Sequence, residues 1–301
     1  MTDWATFVGI TVVVLGLLLV LARTSADLIT ESDADHTGEV GERSTEPGPD
    51  RPGADSTHTE TSDEFVVYQG SEAEPTPTPD GLRPEHGGES EQATPAERTL
   101  EPDVELTTGM LLANVALSQG LFLGVLVAAA WWTEIPAWAL GIGGEITGLE
   151  ATAWGIGLGL ALYLASEVGG AVSERFGIDR DESLRELLAP EGVQGWVALL
   201  LVVLPIIAVF EELLFRAALI GAVHAGFGID PWLLAVVSSA AFALGHSAQG
   251  NAGVVVTGLL GFVLAAAFVL TESLLLVIVA HYVVNALEFV VHEGLGIEWI
   301  G

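Results

Sequence analysis

The chain has 301 residues, with 40 Asp+Glu against 9 basic residues, a net charge of −31, and 50% hydrophobic composition. Its mean hydropathy is +0.55. Such acidity excludes a nucleic-acid partner, because phosphate binding needs clustered Lys and Arg. Cysteine is absent, which excludes disulfides, thiolate nucleophiles and Cys-based zinc sites. High charge and high hydropathy are compatible only if they are segregated along the chain.

The first 23 residues read as an N-terminal membrane anchor. Residues 7–22 are an uncharged apolar run, and residues 4–22 would reach about 28 Å as a helix, close to one hydrocarbon thickness. A cleaved signal peptide is the competing reading, but its positive n-region is missing from Met1-Thr2-Asp3. Residues 24–105 differ in kind. They hold 22 Asp/Glu and 4 Arg, net −18, among frequent Pro, Gly, Ser and Thr. Too little apolar surface is available there to offset the entropy of ordering, so a disordered, self-repelling linker is expected. Phe65-Val66-Val67-Tyr68 is a short apolar island in it, read as incidental rather than a docking motif.

Residues 106–293 read as a helical membrane domain, followed by a tail over 294–301. Apolar spans are expected at about 110–132, 151–172, 195–224, 231–246, 252–270 and 274–291. With the anchor, the fold class is an all-α polytopic membrane protein of about seven transmembrane helices. The 195–224 stretch would be about 45 Å long, and Pro205 interrupts it, so a kink is expected. The 231–246 stretch is short, as suits a partial span packed inside a bundle. Gly155, Gly157, Gly159, Gly258 and Gly261 suit closely approaching helices. No period-2 pattern of barrel type occurs. Arg23 and the group Arg175, Arg180 and Arg185 place both the linker and the 174–192 loop on the cytoplasmic side of a multi-pass protein of the cell membrane. That loop, with Leu184, Leu187 and Leu188 among charges, reads as a short interfacial helix.

The informative residues are the ionisable ones within apolar spans. Each costs about 2.5–3.5 kcal/mol on insertion scales, so each is a candidate for function. The first group is Phe210-Glu211-Glu212-Leu213-Leu214-Phe215-Arg216. Glu212 and Arg216 are i,i+4 in the favoured order and should neutralise each other. Adjacent residues on a helix point about 100° apart, which leaves Glu211 without a local partner. The alternative is a solvated helix end. The second place is Phe242 to His246, closing the short span; the third is His281 with Asn285, i,i+4 on one face of the last span. Alone, each histidine also fits a structural or interfacial role. His224, Glu272, Ser247, Gln249 and Asn251 read as helix-end or loop residues. Glu288, His292 and Glu293 read as solvated near the C-terminal interface, and Glu167 as interfacial.

A free carboxylate, two imidazoles and an amide on nearly consecutive helices suit hydrolysis of a peptide bond. Glu211 can act as general base, His246 can share that role or hold the water, and His281 with Asn285 can stabilise an oxyanion. The same donors suit zinc, with Glu211, His246 and His281 as ligands and Asn285 in support. HExxH and GxSxG are absent, and no GxGD or YD aspartyl pair lies in the spans.

The ordered set Glu211-Glu212-x-x-x-Arg216, Phe242-x-x-x-His246 and His281-x-x-x-Asn285 resembles the motifs of the CAAX protease and bacteriocin-processing (CPBP, or Abi) family. The resemblance covers about residues 195–291. Ala217 stands where many members have glycine, a packing difference. The resemblance implies an intramembrane endopeptidase acting on membrane-associated proteins, among them prenylated CAAX proteins that lose their last three residues. It implies that Glu211 and His246 activate water and that His281 and Asn285 hold the oxyanion. It leaves open a zinc-dependent description, so no cofactor is fixed. Its partners are the lipid bilayer and a membrane protein or peptide substrate. Substrates vary across the family, so CAAX cleavage does not transfer automatically. Two other functions remain: a non-catalytic immunity or scaffold protein of the same fold, and a proton-coupled transporter built on Glu211 and the histidines. Retention of all four candidate residues favours the protease, and no internal repeat supports a transporter.

Outside the linker, 18 acids face 5 bases, and lysine is absent everywhere. That pattern fits a protein from a salt-in halophile, where multimolar salt screens the repulsion.

Overall fold

A computed structural model of the chain describes residues 1–42, 107–175 and 183–297. The expected linker lies outside the described residues from 43 onward, together with the Phe65–Tyr68 island. Met1–Val40 and Glu105–Gly301 form one compact unit. Its described residues form helices without a strand. These are α1 (Trp4–Glu42), α2 (Thr108–Trp132), α3 (Gly148–Arg175), α4 (Ser183–Leu188), α5 (Val193–Phe227), α6 (Pro231–Gly245), α7 (Gly250–Thr271) and α8 (Leu274–Gly294). Six of them, α1 to α3, α5, α7 and α8, contain stretches long and apolar enough to cross a membrane, and α6 is a shorter apolar helix. Against the expectation of about seven apolar spans, the structure has six long ones and this short one. The protein is a multi-pass membrane protein.

Local chemistry sets the ends. Thr107 caps α2 by accepting from the Met110 amide at 3.3 Å. Between α5 and α6, Gly228 adopts the left-handed conformation (φ +67°) that stops α5. Asp230 then accepts from the amides of Trp232 and Leu233 at 3.0 Å, and Pro231 opens α6. That turn and the Gly245–His246 end leave α6 only 15 residues.

α5 is continuous over 35 residues, but it is wider than an α-helix at Leu199–Val203 and Leu213–Ala222, where it is π-helical. The first widening immediately precedes Leu204-Pro205, where proline supplies no amide to the ladder. The second begins directly after Glu212.

α1 extends past the expected anchor boundary at residue 23, continuing as helix to Glu42. Its apolar part is docked in the bundle. Phe7 and Thr11 are fully buried, and Val14 joins them in the core. The Asp3 amide donates to the Thr133 carbonyl at 2.9 Å, and the Met1 ammonium lies 3.0 Å from Glu134. Trp4 packs against Gly226 at the end of α5, and Leu18 against Gly245 at the end of α6.

α3 and α8 approach closely through glycine. A Cβ on Gly155 would lie 2.6 Å from the Leu276 carbonyl, and one on Gly159 would lie 2.7 Å from the Ala280 carbonyl. Only glycine permits this spacing. Ser238 of α6 donates to the Phe215 carbonyl of α5 at 2.6 Å, locking the two helices that carry the first two motifs.

The residues expected to be solvated near the C-terminal end are instead a half-buried network. His292 bonds Glu167 at 2.9 Å, Ser166 donates to Glu288 at 2.6 Å, and Arg185 donates to Glu293 at 2.9 Å. Arg185 also lies 3.6 Å from Glu288. The network ties α4 to α8 and α3 to α8. Each carboxylate of this network lies within reach of Arg185 or His292.

Candidate active site

Three helices deliver the motif residues. Glu211, Glu212 and Arg216 come from the middle of α5, Phe242 and His246 from the end of α6, and His281 and Asn285 from α8. Glu211, Glu212, Arg216, Phe242 and His281 are buried; His246 and Asn285 are half-buried.

The Glu212–Arg216 pair forms as expected, with Arg216 Nη1 donating to Glu212 Oε1 at 2.7 Å and no exposed surface on either residue. It is larger than a pair. Arg216 Nη2 donates to the Gly261 carbonyl of α7 at 2.9 Å, and its guanidinium lies 4.7 Å from the Phe242 ring centroid. Gly261 leaves room for this, since a Cβ there would lie 2.8 Å from Phe242 Cδ1. Phe242 also contacts Phe215 at 5.0 Å, His246 at 4.5 Å and His281 at 6.0 Å between ring centroids. The arginine and this ring together join α5, α6 and α7 behind the site.

His281 Nδ1 lies 2.7 Å from Glu212 Oε1. Glu212 is paired with Arg216; as a carboxylate it only accepts, so Nδ1 is the donor. The sequence carries no sign of this bond, and it changes the reading of His281. Only Nε2 remains for chemistry, and it lies 3.6 Å from Glu211 Oε2. Donation from Nε2 to an oxyanion requires the doubly protonated ring, whose charge faces Glu212. His246 has the same polarity. Its Nδ1 lies 2.8 Å from the Phe242 carbonyl, which can only accept, so in the neutral ring Nε2 carries the lone pair.

Glu211 Oε2 is buried and has no hydrogen-bond partner in the protein. Glu211 and His246 make no direct contact, although the turn between α5 and α6 is expected from sequence to set them at one level. The Asn285 amide has no hydrogen-bond partner among the described residues and remains available. The site therefore offers a carboxylate oxygen, the Nε2 atoms of two imidazoles and an amide N–H, with Nε2 of His281 a donor only in the doubly protonated ring.

Zinc would need its ligand atoms gathered at about 2.0–2.2 Å from one point. The donor types of Glu211, His246 and His281 suit it, and each histidine has the second acceptor behind it that such ligands carry. Their positions do not: among the described residues, the group of three ligand atoms within 4.8 Å of one another is Glu167, Glu288 and His292. The expected metal set is not brought together in this arrangement.

Residues 193–287 match the model of the family described as type II CAAX prenyl endopeptidase Rce1-like. No curated protein and no solved structure matches the chain. The matched region begins with α5 and contains Glu211, Glu212, Arg216, Phe242, His246, His281 and Asn285. The match spans 95 of the 301 residues, and over them the chain is similar to that family.

Proposed function

We propose that the protein is an intramembrane endopeptidase in which Glu211 and His246 activate water against a peptide bond, without a metal step. The reading rests on one observation above others: Glu211 Oε2 is buried, makes no hydrogen bond in the protein and lies 3.6 Å from His281 Nε2, while Arg216 holds the neighbouring Glu212.

A water between Glu211 Oε2 and His246 Nε2 would be oriented by two acceptors. Its oxygen adds to the scissile carbonyl carbon as its proton passes to Glu211. The carbonyl π electrons move to oxygen, and the oxyanion is held by the Asn285 amide and by His281 Nε2–H. Collapse breaks the C–N bond, and Glu211 returns the proton to the leaving amine. Glu212 does not touch the substrate in this scheme. It fixes the ring of His281 through Nδ1.

The family description supports a prenylated CAAX-type protein as the substrate class. The site lies among membrane helices, so the substrate would be presented from the bilayer. The few arginines support placing it in the cell membrane with the acidic linker cytoplasmic. The test is release of the C-terminal tripeptide from a farnesylated peptide by the purified full chain. Wild type cleaves; Glu211→Gln and His281→Ala do not. Equal processing by all three would remove the site. Cleavage that survives chelation, with metal content measured, supports glutamate-activated water; loss on chelation and recovery with zinc would replace this mechanism.

A further inference from the structure

Gln119 lies in α2, outside the family-matched region and outside the motifs. The span around it is apolar, Ala116-Leu117-Ser118-Gln119-Gly120-Leu121-Phe122. Ser118 satisfies itself on the Val115 carbonyl at 3.1 Å. Gln119 does not: its Oε1 is buried without a partner in the protein. The other unpaired buried side-chain oxygens among the described residues belong to Glu211 and Glu212. An unpaired amide oxygen inside a membrane helix needs a reason.

Helical register supplies one. Gln119 is seven residues from Leu112, four from Val115 and three from both Ala116 and Phe122, so the five share one face of α2. Leu112, Val115 and Ala116 belong to one apolar cluster with Leu204 and Ile207 of α5 and Tyr282 of α8. Phe122 stacks on Phe210, with centroids 5.9 Å apart. α2 and this part of α5 therefore run in the same direction. Glu211 is seven residues from Leu204 and four from Ile207, on the face of α5 that meets α2. Gln119 sits about 4.5 Å along the axis from Phe122, on the helix face whose Leu112 and Phe122 meet the cluster and ring of α5.

We propose that Gln119 is a substrate-binding residue of this site. Its Oε1 accepts a backbone N–H of the peptide next to the scissile bond and holds the chain in line with Glu211. Proteins that bind extended peptides commonly offer the backbone groups of a strand edge. No strand exists among the described residues here, so a side-chain amide must take that part. The inference rests on the endopeptidase reading.

The experiment compares wild type, Glu211→Gln, Gln119→Leu and Gln119→Met on a farnesylated peptide and on variants N-methylated at one backbone position each. Loss of one neutral hydrogen bond should raise KM roughly tenfold in Gln119→Leu. One N-methylated position should weaken wild type by a similar factor yet leave Gln119→Leu unchanged. The thermal midpoint should hold or rise, because an unsatisfied group has been removed. Gln119→Met provides the same comparison if Gln119→Leu loses its folded form. Wild-type KM in a folded Gln119 variant, or equal N-methyl penalties in wild type and variant, overturns the proposal. If Glu211→Gln is dead while the Gln119 variants behave as wild type, this inference alone fails. If wild type cleaves nothing, both fail.

Discussion

Arg216→Met removes a guanidinium with no exposed surface, bonded to Glu212 at 2.7 Å and to the Gly261 carbonyl at 2.9 Å. Methionine fills similar space against Phe242 but supplies no donor. Glu212 keeps only His281, and the Gly261 carbonyl loses its arginine donor. Breaking one side of a buried pair costs about 3–5 kcal/mol, mostly from the charge left behind. Glu212→Gln strands the arginine and should cost a similar amount. The double variant leaves no stranded charge, and the amide oxygen that replaces the carboxylate can still accept from His281 Nδ1. Its loss should be about 0–2 kcal/mol, giving a coupling energy of at least about 4 kcal/mol. Equilibrium unfolding in mixed micelles, followed by the fluorescence of the eight tryptophans, measures all four proteins. Losses that simply add, or an Arg216→Met protein as stable as wild type, would refute the reasoning.

Gly159→Val should separate α3 from α8, because even a Cβ meets the Ala280 carbonyl at 2.7 Å, one residue before His281. A loss of about 1–3 kcal/mol and of peptide cleavage is expected, while Gly157→Ala, with nothing within 4 Å, should leave both intact. Phe7→Ala should cost about 3–5 kcal/mol in the same unfolding assay, since the ring is fully buried in the bundle; Val13→Ala, on the exposed side of α1, is the control. Arg185→Ala should loosen α4, read as faster amide exchange over residues 183–188 with a change in global stability of about 1 kcal/mol or less.

The spans were legible because lipid demands helices that are apolar on nearly all sides. That same property hid the docking of α1. A face turned to lipid and a face turned to another helix have similar composition, so Phe7 and Val14 carried no signal distinct from Val12 and Val13. Thr11, fully buried and bonded to the Phe7 carbonyl at 2.9 Å, was the one polar hint in that run. Glu212–Arg216 was legible because it is local, four residues apart on one helix. The bond from His281 to Glu212 crosses 69 residues and depends on how α5 and α8 pack. The same holds for the Glu167–His292 and Arg185–Glu293 links, where each charge read alone looks like an interfacial one. Gln119 is not legible in the sequence, because a single amide in an apolar span has no spacing partner. Its meaning lies in the face it shares with Leu112 and Phe122. The three motifs carry the resemblance to the family, but not the commitment of Nδ1 in both histidines, which fixes what each can do.

In the proposed mechanism Glu211, not Glu212, handles the proton of the attacking water. The direct measurement is single-turnover cleavage of a farnesylated CAAX-type peptide by the purified full chain, wild type against Glu211→Gln, with folding verified by thermal midpoint. Glutamine conserves size and removes the base. An intact midpoint with cleavage lost by at least about a hundredfold is expected; a folded Glu211→Gln protein that cleaves at the wild-type rate would rule out Glu211 as the base.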